Sequence, residues 1–384
     1  MTLLLVVVLG FFGTVAFISS RVAVSLLAIQ TGSGPADIGL LFFLYSVAQV
    51  LLGVATGRWI DRVGLALPGV VCALATMAGL GAVYAAPSWW TLVFCSIATG
   101  SMMMYCITGL NAAAGELGDP ARRSASIAWY MFGNSAALGI GPVLTGFGVD
   151  LYGARAVFGL IALVPGILIL CLWLGRARLV RPPRERPAAG EGAIALALSA
   201  PVRPALVVSL FGPLVYEMYT FFVPILGSAA GLSASQIGIA LGTTAAVSVA
   251  TRAVLPRIVR WLREWTVAWT TYLVSGSAFL ALGWAASLPP LVVIATVIGV
   301  SHGIGNPVMM VLFHNSLPRD RQAEMYGLRG VLSTGALGGA PLIAGALSTV
   351  LGSIPVLGLV TGGCYVLAAY ARRHGRAAKP EPLI

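Results

Sequence analysis

Long apolar stretches broken by short polar joints set the pattern of this chain. Runs of roughly 20 residues recur from Leu3 to the neighbourhood of Tyr370, the length at which a helix crosses a hydrocarbon layer of about 30 Å. Twelve are counted, over about 3–29, 37–57, 67–86, 89–113, 125–149, 155–175, 204–228, 236–256, 267–286, 290–313, 328–350 and 353–371. The strict alternation of barrel strands is absent. In lipid every backbone group must be bonded within the protein, so the runs read as helices. The expectation is an all-α membrane protein with twelve transmembrane helices. The first run has no basic segment before it and no small-residue cleavage site after it, so it reads as a retained helix.

Composition agrees with the pattern. Of 384 residues, 58% are apolar and 9% charged, too little polar surface to coat a water-soluble globule. The 23 Arg and Lys add direction. Arg58 and Arg62, Arg122 and Arg123, the stretch Arg176 to Arg203, Arg257 to Arg263, Arg319 and Arg321, and Arg372 to Lys379 fall in even-numbered joints or the tail; Arg155 alone falls in an odd one. The positive-inside rule then places the even joints and both termini in the cytoplasm. The net charge of +11 is thus a topology signal. No basic, aromatic-interleaved stretch marks a nucleic-acid surface. Cys72, Cys95, Cys106, Cys171 and Cys364 all lie inside apolar runs, with no disulfide framework or metal-ligand spacing.

The longest polar interruption, 176–203, is rich in Arg, Pro and Gly and reads as a cytoplasmic linker. It separates six runs from six, giving bundles at 1–175 and 204–371 and a tail at 372–384. An offset of 199 residues superposes Ile38-Gly39 on Ile237-Gly238, Arg58 on Arg257, Gly100 on Gly299, Arg122 on Arg321, Pro142 on Pro341, Gly146 on Gly345 and Gly153 on Gly352. The two halves therefore read as structural repeats.

Two short motifs point to a family. Gly57-Arg58-Trp59-Ile60-Asp61-Arg62-Val63-Gly64, after the second run, resembles the G-x-x-x-D-R-x-G signature of the major facilitator superfamily at Gly57, Asp61, Arg62 and Gly64. The basic residues that follow in the family are replaced by Leu65 and Ala66. In the fifth run, Ala137 to Gly146 is similar to the G-x-x-x-G-P-x-x-G-G pattern common in proton-coupled exporters, matching at Gly141, Pro142 and Gly146 with Ala137 and Thr145 in place of two glycines. The resemblance implies two six-helix halves that rock around a central site. It also implies a gate: Asp61, near the start of a short cytoplasmic helix, would latch to Arg122 or Arg123 and to the eleventh helix near Arg329. Small residues and a proline at Gly141-Pro142 can seal or hinge the seam between halves, or simply pack helices.

Polar residues deep in the runs are the candidate chemistry. Arg21 lies well inside the first run, where a charge costs about 2.5 to 3.5 kcal/mol and usually faces a cavity or a partner. Glu217 is the only acid deep within a run. At the 199 offset Arg21 falls on Thr220, one turn from Glu217, so the two are expected to face one central cavity, paired directly or through substrate. Glu217 is the candidate proton-coupling group; a structural ion pair is the competing reading. Tyr105, Trp129, Asn134, Tyr216, Tyr219, His302 and Asn306 join Arg21 as candidate substrate contacts, each also explicable as packing. Met102-Met103-Met104 offers an adaptable apolar surface.

Gly299-Val300-Ser301-His302-Gly303 fits G-x-S-x-G, but inside a continuous apolar helix it lacks the strand and turn of a nucleophile elbow. The single lysine, Lys379, rules out a nucleotide-binding P-loop. No enzyme activity and no cofactor are expected, and transport energy must come from a gradient. The expected function is secondary transport across the bacterial inner membrane by a monomer, with protons as coupling ion, exporting a small amphiphilic or partly anionic molecule. The alternatives are uptake of an organic anion held by Arg21 and, on this scaffold, a non-transporting receptor.

Overall fold

The computed structural model describes residues 2–116, 123–175, 193–200, 202–258, 263–318 and 321–377. The chain is all-helical there. Its helices are α1 (Thr2–Gln30), α2 (Pro35–Val63), α3 (Ala66–Ala85), α4 (Trp89–Tyr105), α5 (Asn111–Glu116), α6 (Arg123–Tyr152), α7 (Ala154–Gly175), α8 (Ala193–Leu198), α9 (Arg203–Ala229), α10 (Ala234–Ile258), α11 (Glu264–Leu282), α12 (Leu288–Asn315), α13 (Gln322–Leu351) and α14 (Ser353–Ala377). A π-helical turn, Cys106–Leu110, joins α4 to α5. The short α8 lies within the 176–203 linker; residues 176–192 lie outside the described residues.

Eleven of the helices are long and apolar enough to cross a membrane. Not among these is α11, whose Thr, Ser and Tyr content lowers its hydropathy. Those polar groups are used inward: Tyr272 donates to the carbonyl of Val208 on α9, and Thr271 packs where Gly305 of α12 leaves room. Large apolar side chains point outward, Leu51 at 71% and Val350 at 83% exposure, as expected of a surface solvated by lipid.

Helix ends follow local chemistry. Ser88 and Thr91 cap α4 reciprocally: the Ser88 hydroxyl accepts from the Thr91 N–H and the Thr91 hydroxyl from the Ser88 N–H. Of the five glycines at positive φ among the described residues, four turn odd-numbered joints: Gly32 (82°), Gly153 (83°), Gly231 (74°) and Gly352 (85°). A side chain is strained in that conformation, and these form two pairs 199 residues apart.

The interhelical contacts repeat at the same offset. Helix α2 packs on α13 and α6 on α10, while α1 meets α9. A Cβ on Gly39 would collide with the Pro341 carbonyl, and one on Gly238 with the Pro142 carbonyl. Gly345 lies likewise on the Pro35 carbonyl and Gly146 on that of Ala234. Glycine is what lets these backbones touch. The end of the molecule carrying the odd-numbered joints is closed by this symmetric set.

Candidate functional site

The centre of the molecule is an ion pair between the first and seventh long helices. Arg21 of α1 and Glu217 of α9 are 8% and 7% exposed. Nη1 donates to Glu217 Oε2 at 3.3 Å, and Nη2 makes the closer contact with Oε1. The guanidinium stands 4.0 Å above the Phe42 ring, with Phe17 and Tyr45 at 5.5 and 5.8 Å, so cation–π attraction replaces part of its lost hydration. Local hydroxyls occupy the neighbouring backbone carbonyls: Ser20 donates to Phe17 O, Ser25 to Arg21 O and Thr220 to Glu217 O. Tyr45 donates to Ser20 Oγ at 3.0 Å. A cavity beside the pair, lined by Arg21, Phe42, Pro142, Tyr216 and Thr220, offers about 10 Å³ to water centres, room for roughly one molecule. The pair is thus enclosed in this conformation.

A buried pair adds little net stability over apolar residues of the same volume, while removal of one partner is strongly destabilising.

A second polar group lies on the α9–α10–α12 side. Tyr216 stacks on His302, ring centroids 4.9 Å apart and planes at 29°. Asn306 approaches Gly212, one turn before Tyr216, with Oδ1 4.0 Å from where a Cβ would stand. Arg252 of α10, whose charge acts on both Tyr216 and His302, was missed from sequence. Near the end of its run it reads as one more arginine reaching for the interface.

Other candidates are placed elsewhere. Tyr105 is fully buried among Ile60, Leu65 and Leu172 and donates to Leu65 O at 3.0 Å, so it ties α4 to the start of α3. Tyr219 donates to Ala240 O at 3.3 Å, joining α9 to α10. Trp129 is 60% exposed beside Phe132, on the outer face with the other lipid-facing aromatics. Asn134 accepts from Thr14 at 3.3 Å, in the α1–α6 seam. None of these four contacts the ion pair.

Gly141 and Pro142 do border the centre. A Cβ on Gly141 would meet Ile18 Cγ2 at 2.5 Å, and the Gly141 carbonyl accepts from the hydroxyls of both Ser19 and Thr145. The signature loop departs from expectation. Helix α2 continues through it, so Gly57, Asp61 and Arg62 are helical and Asp61 sits in the last turn of α2. It is not at the start of a new helix. An acid at a helix C-terminus opposes the dipole, whereas Arg62 there complements it. Gly64 ends the helix at φ 82°, its N–H on Ile60 O at 2.8 Å. Arg329 gives Nε and Nη2 to Ser209 of α9 at 3.0 and 2.7 Å, a tie within the second group of helices and not to Asp61. Arg122 and the side chain of Arg123 lie outside the described residues.

Comparison with known proteins identifies the class. The Major Facilitator Superfamily model matches residues 3–341; the chain belongs to that family of membrane transporters and is not an enzyme. No curated protein matches the sequence. Among solved structures it is similar to a POT family transporter in complex with 5-aminolevulinic acid, at 11% identity over 98% of this chain and 96% of that one, TM-score 0.78. It is also similar to a peptide transporter POT in complex with sulfate, at 16% identity over 98% and 96%, TM-score 0.75. The nucleoside transporter NupG matches at 14% identity over 98% and 100%, TM-score 0.75. At such identities the likeness is one of fold.

Proposed function

We propose that this chain is a proton-coupled exporter of a small amphiphilic or partly anionic organic molecule, and that Glu217 carries the proton. In this reading all twelve long helices span the bacterial inner membrane with both termini in the cytoplasm. The bundles 1–175 and 204–371, joined by 176–203 and followed by the tail 372–384, rock as a monomer around the centre. The arginine asymmetry supports the orientation, and the inward use of the polar face of α11 supports counting it as a span.

The observation that carries the proposal is the Arg21–Glu217 pair, because it joins α1 to α9 across the two bundles. While Glu217 is ionised the pair holds the halves together. A proton arriving on Glu217 removes the attraction and leaves Arg21 to its aromatic neighbours, so α1 and α9 can part. Opening to the other side hydrates the site and favours release of the proton. Substrate and proton then alternate, and the gradient supplies the energy. Uptake of an anion on Arg21 is less well supported, since Glu217 already holds both terminal nitrogens.

The test is transport of pooled amphiphilic candidates in proteoliposomes under an imposed pH gradient, comparing the parent protein with Glu217→Gln. The expected result is flux against the proton gradient in the parent and none that follows pH in the variant. Flux in Glu217→Gln that still follows the gradient would make the carboxylate structural.

A further inference from the structure

The second bundle holds a cation that the central pair does not use. Arg252 is half-buried; its Nε is out of solvent with no hydrogen-bond partner, and no ion pair is formed by it among the described residues. Helix α12 lies directly against this stretch of α10: a Cβ on Gly303 would stand 2.7 Å from Ser248 O and 2.9 Å from Thr251 Cβ. The residue before Gly303 is His302, stacked on Tyr216, and its Nδ1 is likewise buried without a partner. Two nitrogens, one on each of these facing helices, are therefore buried and unsatisfied, and the second belongs to the ring stacked on Tyr216.

Charge gives the group its meaning. Arg21 and Glu217 cancel, whereas the half-buried Arg252 has no ion-pair partner among the described residues. An unpaired buried charge is unfavourable unless something neutralises it. A guanidinium does this best with a planar or multi-oxygen anion.

We propose that Arg252, flanked by His302 and Tyr216, is the anion subsite for the transported molecule, which carries a carboxylate or a comparably compact anionic group on an aromatic or apolar body. The proposal rests on the reading of the chain as an exporter of a partly anionic compound and places the anion on Arg252, not on Arg21. The apolar body follows from the equivalents in the first bundle. At the 199 offset Tyr216, His302 and Asn306 fall on Phe17, Met103 and Ile107, and Arg252 falls on Gly53.

The test uses equilibrium binding, so it does not depend on a gradient or on Glu217 carrying protons. Full-length protein in phosphatidylcholine nanodiscs is titrated calorimetrically with 1-naphthoate and with its uncharged isostere 1-naphthamide. Saturable naphthoate binding is expected, with naphthamide at least about tenfold weaker, the scale of one charge-assisted contact. Arg252→Gln should abolish that preference and Arg252→Lys retain part of it. The parent comparison needs no variant, so a poorly folding Arg252→Gln leaves the proposal testable. No saturable naphthoate binding, equal affinity for the two probes, or an unchanged preference in a folded Arg252→Gln would each overturn it. Repeating the titration in phosphatidylcholine and phosphatidylglycerol nanodiscs, both at about 0.5 M salt so that the anionic surface is screened, should give the same naphthoate affinity. Loss of binding in phosphatidylglycerol would assign Arg252 to a lipid headgroup and overturn the soluble-anion reading. Should naphthoate bind as expected while gradient-driven flux ignores Glu217→Gln, the subsite stands and the coupling scheme falls.

Discussion

The two bundles share a backbone plan and divide the chemistry. Glycines meet carbonyls at equivalent places in both: Gly100 on Tyr45 O is matched by Gly299 on Thr244 O. The polar side chains do not repeat. Glu217, Tyr216, Arg252, His302 and Asn306 are all in the second bundle, and their equivalents Ile18, Phe17, Gly53, Met103 and Ile107 are apolar or lack a side chain. Where Arg252 stands in one bundle, Met104 fills the space over Gly53 in the other, its ε-methyl 2.8 Å from where a Cβ would be. Symmetry therefore builds the packed frame, because close backbone packing depends on size alone. Recognition needs unlike groups facing one another and cannot be symmetric.

The closure at the odd-joint end shows the same division on a smaller scale. Asp150, at the end of α6, accepts from the N–H groups of Ala234 and Ser235 at 3.0 and 2.8 Å, capping α10 across the interface. The equivalent of Ala234 is Pro35, which has no N–H to donate, and that of Asp150 is Thr349, whose hydroxyl turns back to Gly345 O at 3.1 Å. One of the two equivalent seams is clasped by a carboxylate, and the other is held by packing.

The largest effect should come from unbalancing the centre. Arg21→Leu strands a buried carboxylate and is expected to lower stability by about 3–5 kcal/mol, read by unfolding in detergent, with loss of gradient-driven flux. Arg21→Leu/Glu217→Leu should regain most of the stability and none of the coupling. A double variant as unstable as the single one would show that the pair holds the fold together and is not a switch. Next are the symmetric glycines. Gly39→Val and Gly238→Val should each destabilise by about 1–3 kcal/mol through overpacking, and by similar amounts, since each meets a proline carbonyl at an equivalent place. A clear inequality would break the symmetry of the frame. The clasp ranks third. Asp150→Ala should cost about 1.5–3 kcal/mol, the range for hydrogen bonds to a charged group, while Thr349→Val stays within about 0.5 kcal/mol.

Much of this frame was legible in the sequence, for a physical reason. Lipid forces long apolar helices, so their order shows as runs, eleven of which qualify as spans among the described residues, and a repeat of glycine and proline spacing shows as an offset. The same offset brought Arg21 within a turn of Glu217. Rotation of each helix about its axis was not legible. How closely α10 approaches α12 is decided where Gly299 and Gly303 admit it, a contact between residues some fifty positions apart. Tyr105 and Tyr219 looked like cavity residues because a hydroxyl in an apolar run needs a partner; each found a carbonyl on a neighbouring helix instead. Asp61 was misplaced because the loop motif suggests a break, while α2 continues to Val63 before Gly64 stops it.

Arg155 gives the smallest effect and the finest comparison. It is the one arginine in an odd-numbered joint, against the charge asymmetry of the other joints. Its Nε and Nη2 donate to Tyr84 O and Ala85 O at 2.6 and 2.7 Å, the last carbonyls of α3, where a cation also meets the negative end of the helix dipole. At the 199 offset its place is taken by Ile354, and α11 closes on itself: Gly283 and Trp284 donate to Leu280 O and Ala281 O at 3.4 and 3.1 Å. A helix end without its own tightened turn takes an arginine, and one with such a turn does not. Arg155→Ala should therefore lower stability by about 0.3–1 kcal/mol, less at high salt, with topology and transport unchanged. Hydrogen exchange should locate the loss at the last turn of α3. If cysteine labelling instead found the chain inserted with altered orientation, Arg155 would be a topology determinant, and the charge rule would have to be counted over all the joints together.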